Sequence, residues 1–311
     1  MPRDSTGDCT YSGGVTTHTH DLTFSETEVR KRFNSWDDDE PDREWTCLRI
    51  LAQQAPDLAP RPLRRETAEG APVIVMERLP GTPLGSGPLT SRQGEALGAA
   101  LRRLFDVEFA AVAATGLGER RLGASTLRTH LVAWAAGPHD LNPLQEPGLV
   151  ERALSGAREF LTKSPAPAFE LSVLGIADLN PANVLWDGRV CRLVDFEDGG
   201  LSDPAFELAD HVEHLAGRGV YDADALIRAV GLSTAERERL AEWRTFWAIF
   251  WLIMLLPGNG GFLRNPPGTT EEQAGRVLRM LDATPELQRG RRSPGRQAPT
   301  GTADTVVSMV N

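Results

Sequence analysis

A chain of 311 residues with 41% hydrophobic and 24% charged side chains can bury a sizeable core in one large domain or two lobes, and its composition is not that of a disordered chain. Its formal net charge of -10 argues against a general binder of nucleic acid or anionic membrane, because such proteins present a basic stripe. Cys9, Cys47 and Cys191 stand far apart with no CxxC pair, so neither a disulfide framework nor a zinc site is expected and the cytoplasm is the default compartment.

The polar segment Met1 to Ser12 lacks the apolar stretch of a secretory signal. Further on, Gly13-Gly14 marks a loop, and the strand candidates Asp21 to Phe24 and Glu28 to Phe33 flank a polar Ser25-Glu26-Thr27 turn, which predicts a hairpin. After the acidic run Asp37 to Glu40 and Pro41, Trp45, Leu48, Leu51 and Ala52 recur at helical spacing up to Pro56. Pro60, Pro62 and Glu69-Gly70 mark loops, and Pro72 to Glu77 is a continuous apolar run of strand length ended by Pro80-Gly81. The stretch Leu79 to Pro88 follows neither period and holds three prolines and three glycines. It divides a small β-rich lobe, residues 10–80, from a larger, mostly helical lobe, residues 81–287.

In the larger lobe, Ser91 to Phe105, Leu127 to Ala136 and Val150 to Leu161 carry apolar residues at helical spacing. A second β patch follows, with Leu171 to Ile176, Val184 to Trp186, an Asp187-Gly188 turn and Val190 to Phe196. Asp203-Pro204 offers an N-cap and a first-turn proline to a helix running to about Leu215. Helices are expected again at Ala223 to Val230, Thr234 to Leu256 and Glu271 to Leu281. The longest apolar run, Phe246 to Leu256, is about half of the roughly 20 residues that a membrane span requires, so no membrane partner is expected. Residues 288–311 read as a disordered tail.

Two segments carry chemistry. Ala177-Asp178-Leu179-Asn180-Pro181-Ala182-Asn183 places an Asp five residues before an Asn across a proline-containing loop, and Leu193-Val194-Asp195-Phe196-Glu197-Asp198 ends a short strand in a second acidic motif. Either alone is also what an Asx-rich turn or a strand end looks like. Both in order, followed by Ser202-Asp203-Pro204 and Phe206-Glu207-Leu208-Ala209, resemble the aminoglycoside phosphotransferase and choline kinase family, whose signature is a His-Gly-Asp-Leu-x-x-x-Asn loop and an Asp-Phe-Glu-like tripeptide.

The resemblance implies an α+β, protein-kinase-like two-lobed fold in which residues 10–80 bind the nucleotide and residues 81–287 hold the catalytic and acceptor sites. Phosphoryl transfer is mostly positioning and charge neutralisation, and magnesium takes oxygen ligands. By resemblance, Asp178 is the catalytic base, and Asn183 and Asp195 hold Mg2+ against the phosphates of ATP or GTP. The family's strand lysine and helix glutamate match Lys31 and Glu44, with Arg43 beside Glu44 leaving the pairing open. Lys31 is one of only two lysines in an arginine-rich chain, and the two cations are not interchangeable at a phosphate. Glu77 and Leu79, at the turn after the apolar strand, match the hinge whose backbone meets an adenine edge, and Gly13-Gly14 stands where the phosphate-covering loop would.

The implied acceptor is a hydroxyl of a small molecule, such as an aminoglycoside or other antibiotic, with Glu197, Asp198, Glu207 and Asp210, and Asp203 among them, as candidates for an acidic cleft. One departure stands out: Ile176-Ala177 replaces the His-Gly of the motif, so an apolar side chain must brace the loop by packing. That departure motivates an alternative, a catalytically impaired nucleotide-binding regulator. His18-x-His20 and His211-x-x-His214 are histidine pairs without an evident third ligand. Trp243, Trp247 and Trp251 form a stripe that reads as core.

Overall fold

The structure is a computed structural model and describes residues 20–36, 39–85 and 87–283. The Gly13-Gly14 loop, His18 and the 288–311 tail lie outside the described residues.

Strand β1 (His20–Phe24) turns through Ser25, whose Oγ accepts the Glu28 N–H at 2.9 Å, into β2 (Glu28–Phe33). Alternation along β2 puts Lys31 and Phe33 on one buried face, with the Lys31 ammonium 5.0 Å from the Phe33 ring centre. Helix α1 (Glu40–Gln54) starts on Pro41 and buries Glu44, Cys47, Leu48 and Leu51, the i, i+3, i+4, i+7 stripe that packs on the sheet. Glu44 is the one charged member of that stripe.

Strands β3 (Pro62–Ala68) and β4 (Ala71–Glu77) form the next hairpin, turning at Glu69 and Gly70 with φ of 53° and 80°. The sheet order is β1-β2-β4-β3, all antiparallel. The sequence reading took the β3 region for loops. It is an edge strand, where Pro62 costs no ladder bond and the polar Arg64, Arg65 and Glu66 occupy both faces, Arg65 reaching Asp42 on α1 at 2.5 Å, so it lacks the apolar alternation of a central strand. From β4 the chain passes through Gly81, where a Cβ would meet the Trp186 carbonyl carbon at 2.9 Å, into the short β5 (Thr82–Pro83).

The helical part begins with α2 (Ser91–Phe105), closed at its start by a Thr90–Gln93 capping box. It continues with α3 (Phe109–Ala113), α4 (Ala124–Ala136) and α5 (Pro147–Lys163). Strand β6 (Val173–Gly175), a 3-10 turn at Pro181–Asn183, then β7 (Val184–Trp186), β8 (Cys191–Leu193) and β9 (Gly200–Ser202) follow. The two motifs are therefore braced by two small sheets: β7 and β8 join β5, while β6 pairs with β9, an element the sequence reading missed.

Helix α6 (Pro204–Glu213) is buried along its whole length; its N-cap Asp203 accepts the N–H groups of Ala205 and Phe206 at 2.8 and 3.1 Å. Then come α7 (Ala223–Val230), α8 (Thr234–Met254), α9 (Gly260–Arg264) and α10 (Thr269–Ala283). The tryptophan stripe of α8 lies in the core as expected: Trp243 and Trp247 are fully buried and meet the Phe206 ring at 4.8 and 5.3 Å. Among the described residues, no helix is long and apolar enough to cross a membrane.

Helices α2 and α7 cross so closely at Gly98 that an added Cβ would run into the Ala229 side chain and lie 3.2 Å from its carbonyl carbon. Gly98→Ala is expected to lower the thermal midpoint, because overpacking of about 1–3 kcal/mol exceeds the roughly 1 kcal/mol gained in helix propensity. An unchanged or raised Tm in a thermal scan would contradict this packing.

Candidate active site

The sheet and the helical part meet at Lys31. Its Nζ lies 2.7 Å from Glu44 Oε2 and 2.9 Å from Glu197 Oε2, and it also contacts Asp195 Oδ1. Burial works against the Lys31 charge, but the three carboxylates more than offset it and hold the ammonium above the ordinary lysine range. Burial likewise raises Glu44, and pushes Glu197 up to about 8. Three carboxyl groups share one ammonium, so the cluster takes up a proton, as the raised Glu197 and Glu44 show, or a further cation in its place.

Glu44 is thus the partner of Lys31. The neighbouring Arg43 points elsewhere, donating to the carbonyls of Glu119 and Gly199 at 3.0 and 2.8 Å. It ties α1 to the loops before α4 and β9.

Asp195 lies two residues beyond the end of β8, with φ of 73°. This left-handed conformation stops the strand and turns the carboxylate toward Lys31. His20, on the edge strand β1, lies 3.4 Å from Glu197, and His20, Asp195 and Glu197 offer three ligand atoms within 4.8 Å of one another.

The loop from Ile176 to Asn183 holds the second group. Asn180 Oδ1 accepts the Ala182 N–H at 3.0 Å and starts the 3-10 turn, and Asn183 Nδ2 donates to the Asp178 carbonyl at 3.2 Å. With its amide nitrogen engaged, Asn183 has its Oδ1 as the end free to act as a ligand. Asp178 is half-buried, and burial, followed by the fields of Asp195 and Asp198, pushes its carboxyl up to about 6. Among the described residues, no arginine or lysine pairs with it.

Ile176 is fully buried and Ala177 takes φ of 70°. The brace expected from Ile packing has a polar counterpart beneath it: the Ala177 N–H donates to Glu207 Oε1 at 2.7 Å, and Arg120 Nη2 donates to the Ala177 carbonyl at 3.3 Å. Tyr221 donates its hydroxyl to the Leu179 carbonyl at 3.1 Å.

This arrangement corrects part of the acceptor cleft read from the sequence. Glu207 and Asp210 do not line a cleft; both are buried and bind Arg120, at 3.0 and 2.7 Å. Burial opposes the Glu207 charge, yet Arg120 and the Ala177 N–H hold the carboxyl down at about 2, while burial pushes Asp210 up to about 7. One guanidinium thus sustains one carboxylate fully and the second only in part. Asp203 is also buried, as the cap of α6 and the partner of Arg239 at 2.9 Å. Glu197 faces Lys31, and Asp198 is half-buried beside Arg121 at 3.2 Å. Nor do His211 and His214 converge: His211 Nε2 lies 3.6 Å from Glu207, and His214 Nε2 lies 3.3 Å from Asp178. Glu77 ends β4 with its N–H given to the Arg61 carbonyl at 2.9 Å, and Leu79 follows half-buried two residues later.

Sequence reasoning missed Arg120 and Tyr221. Arg120 is one arginine among many and belongs to no motif, and the only signal for it is the need of Glu207 and Asp210 for a cation once α6 is buried on every face.

A four-stranded sheet carrying a lysine–glutamate pair, joined to a helical body through an Asp–Asn loop and an Asp at a strand end, defines a protein-kinase-like fold. A choline/ethanolamine kinase family protein from Mesorhizobium loti shares it with a TM-score of 0.57 and 19% identity, over 89% of this chain and 88% of its own. A spectinomycin phosphotransferase solved with ADP and spectinomycin gives 0.57 and 13%, over 86% and 92% of the two chains. An aminoglycoside 2′-phosphotransferase solved with GDP gives 0.57 and 16%, over 89% and 91%. At these identities the likeness is one of fold. In sequence, the chain is 33% identical over 175 residues to viomycin phosphotransferase of Streptomyces vinaceus, a match spanning 51% of this chain and 58% of that relative. Residues 16–243 match the phosphotransferase enzyme family, and the chain belongs to it.

Replacing Arg120 by Met would leave Glu207 and Asp210 buried without a cation, at an expected loss of about 3–5 kcal/mol. Arg120→Met should therefore lower the urea midpoint strongly, and adding Glu207→Gln should recover part of the loss. An Arg120→Met protein as stable as the parent would refute the paired-charge account.

Proposed function

We propose that this protein transfers the γ-phosphoryl group of a nucleoside triphosphate, ATP or GTP, to a hydroxyl of a small molecule. The observation that carries this reading is Lys31 held at 2.7 Å from Glu44 while also contacting Asp195, with Asp178 and Asn183 joined in the loop nearby. Membership of the phosphotransferase family supports it.

In the proposed reaction, Lys31 contacts the nucleotide phosphates, with Glu44 fixing the ammonium, and the backbone of Glu77 and Leu79 meets the base. The acceptor hydroxyl approaches Asp178. Its oxygen forms a bond to the γ-phosphorus as the bond from phosphorus to the bridging oxygen breaks; the hydroxyl proton passes to Asp178 and the nucleoside diphosphate leaves. Asn183 and Asp195 present an amide oxygen and a carboxylate, a donor set that suits Mg2+. When bound, the ion would neutralise phosphate charge. Lys31 is already shared among three carboxylates, so Asp195 has charge to give to the metal.

The exposed part of the Asp178 carboxyl, with Asp198 among the charges around it, supports a polar acceptor. The relative named viomycin phosphotransferase makes viomycin the first candidate, with spectinomycin, kanamycin and choline as the comparison set. The regulator alternative was motivated by Ile176. The Ala177 N–H bond to Glu207 braces the same loop without a histidine and favours the enzyme.

Two measurements test the reading. Transfer of radiolabelled γ-phosphate from ATP or GTP to that acceptor panel should occur in the wild type and fall by roughly a hundredfold or more in Asp178→Asn, with nucleotide binding retained. Full turnover in Asp178→Asn would remove Asp178 from the chemistry, and nucleotide binding with no transfer or hydrolysis would favour the regulator. In a thermal-shift titration, nucleoside triphosphate should stabilise the wild type in a magnesium-dependent way and Asp195→Ala much less, because a ligand that binds only the folded state raises its stability. Equal magnesium-dependent shifts in both would count against Asp195 as a metal ligand.

A further inference from the structure

His214 lies immediately after the last residue of α6 and starts a short 3-10 turn, Leu215–Gly217. Its N–H still closes the last helical bond, to the Asp210 carbonyl at 2.8 Å, and beyond it the backbone leaves the helical region, with ψ of 130°. The imidazole Nδ1 accepts the Ala216 N–H at 3.2 Å. An acceptor nitrogen carries no proton, so in the neutral ring the single N–H is at Nε2. Burial first, then the charges of Arg218 and Arg120 with His211 beside them, lowers His214 to about 4, which keeps the ring neutral near pH 7.

Nε2 is 3.3 Å from Asp178 Oδ1. That oxygen is buried and has no hydrogen-bond partner, although the Asp178 side chain as a whole is 45% exposed. The carboxyl therefore has an inner edge facing His214 and an outer edge open to the cleft. Trp251 fixes the ring from another side, with centroids 4.6 Å apart and planes at 80°. Catalytic hydrogen bonds are often loose before the reactants arrive and tighten in the complex.

We propose that His214 is a positioning residue for Asp178: its Nε2–H holds the inner oxygen Oδ1 and leaves Oδ2 to meet the acceptor hydroxyl. The inference rests on the proposed role of Asp178. Ile176, at the motif histidine's place, has no polar group to offer the loop, while His214, just past the end of α6, reaches the Asp178 carboxylate. The histidine is supplied from a different element and acts on the side chain, with Glu207 acting on the backbone.

The test compares His214→Leu, which removes the donor, His214→Gln, whose amide nitrogen keeps one, and Asp178→Asn. Rates are followed as magnesium-dependent ATP hydrolysis without acceptor and as transfer to viomycin. His214→Leu should lose roughly tenfold in kcat, the worth of one hydrogen bond to a charged group, with the KM for ATP held within about twofold. His214→Gln should recover most of the rate. A His214→Leu enzyme with wild-type kcat, beside an inactive Asp178→Asn, overturns the role of His214 and leaves the phosphotransfer reading intact. If Asp178→Asn is also fully active, that reading falls and the inference with it.

Heteronuclear NMR of the imidazole nitrogens decides the contact even if no turnover is found, and needs no acceptor. The expected result is a neutral Nε2–H ring whose Nε2 resonance shifts in Asp178→Ala. An Nδ1–H tautomer, or a resonance indifferent to Asp178→Ala, overturns the proposal.

Discussion

The site depends on one buried arginine. Arg120 is the cation that allows α6 to be buried on all sides while carrying Glu207 and Asp210, and it stacks over the rings of Phe206 and Trp247, each 5.3 Å from the guanidinium carbon. A buried ion pair is weak evidence of stability, since desolvation consumes most of the attraction unless every remaining polar atom finds a partner. Glu207 meets that condition: it accepts from Arg120, from the Ala177 N–H at 2.7 Å and from the Ser202 hydroxyl at 2.8 Å. The bond to Ala177 transmits the arrangement to the loop, because Ala177 holds a left-handed conformation that costs an alanine about 1 kcal/mol or more and must be compensated by contacts like this one. Position 175 feels the same carboxylate: a Cβ on Gly175 would lie 2.5 Å from Glu207 Oε2, so the strand entering the loop needs a glycine there.

A second constraint joins the sheet to this polar core. Lys31 reaches from β2 to Asp195 and Glu197 beyond β8, and Arg43 reaches from α1 to the carbonyls of Glu119 and Gly199. Two cations, one from the small sheet and one from α1, therefore grip the segments that surround Arg120. The ties differ in kind. Arg43 gives one nitrogen, Nη1, to two neutral carbonyls and the other, Nη2, to Asp39 at 2.6 Å, which suits a fixed structural link, whereas Lys31 is a compact charge shared among carboxylates, and its contacts are exchangeable for others of like sign, such as phosphates.

The sequence showed most of what periodicity and motif encode. Lys31 on its strand, Glu44 on the next helix, the Asp178–Asn183 loop and Asp195 at a strand end all occupy the expected elements, because each is marked by local pattern as well as chemistry. β3 escaped because an exposed edge strand has no apolar alternation, and β9 because three residues carry too little pattern. The acidic residues of α6 misled for a different reason. A carboxylate reads as exposed in a sequence, and only the tertiary approach of Arg120 from a loop some 90 residues earlier makes Glu207 and Asp210 core residues. His214 was visible only as half of a histidine pair without a third ligand; its contact with Asp178, 36 residues earlier, is a tertiary approach that no local pattern marks.

What separates the two acidic groups of the proposed reaction is their company. Asp195 lies against the Lys31 ammonium, in a cluster where cations are expected, and is suited to hold a metal. Among the described residues, Asp178 has neither lysine nor arginine as a direct partner; it stands within the fields of Asp195 and Asp198, which the Asn180 N–H and the more distant Arg120 only partly oppose, and its inner oxygen faces the neutral ring of His214. A carboxylate so placed holds a proton more readily than a salt-bridged one, and a group that must take a proton from a hydroxyl and release it afterwards needs that balance. A cation placed directly on Asp178 would make it a better anion and a poorer base. The neutral donor at its inner oxygen orients the carboxyl without that penalty, so the fold brings its guanidinium to the backbone beneath Asp178 and keeps it off the side chain.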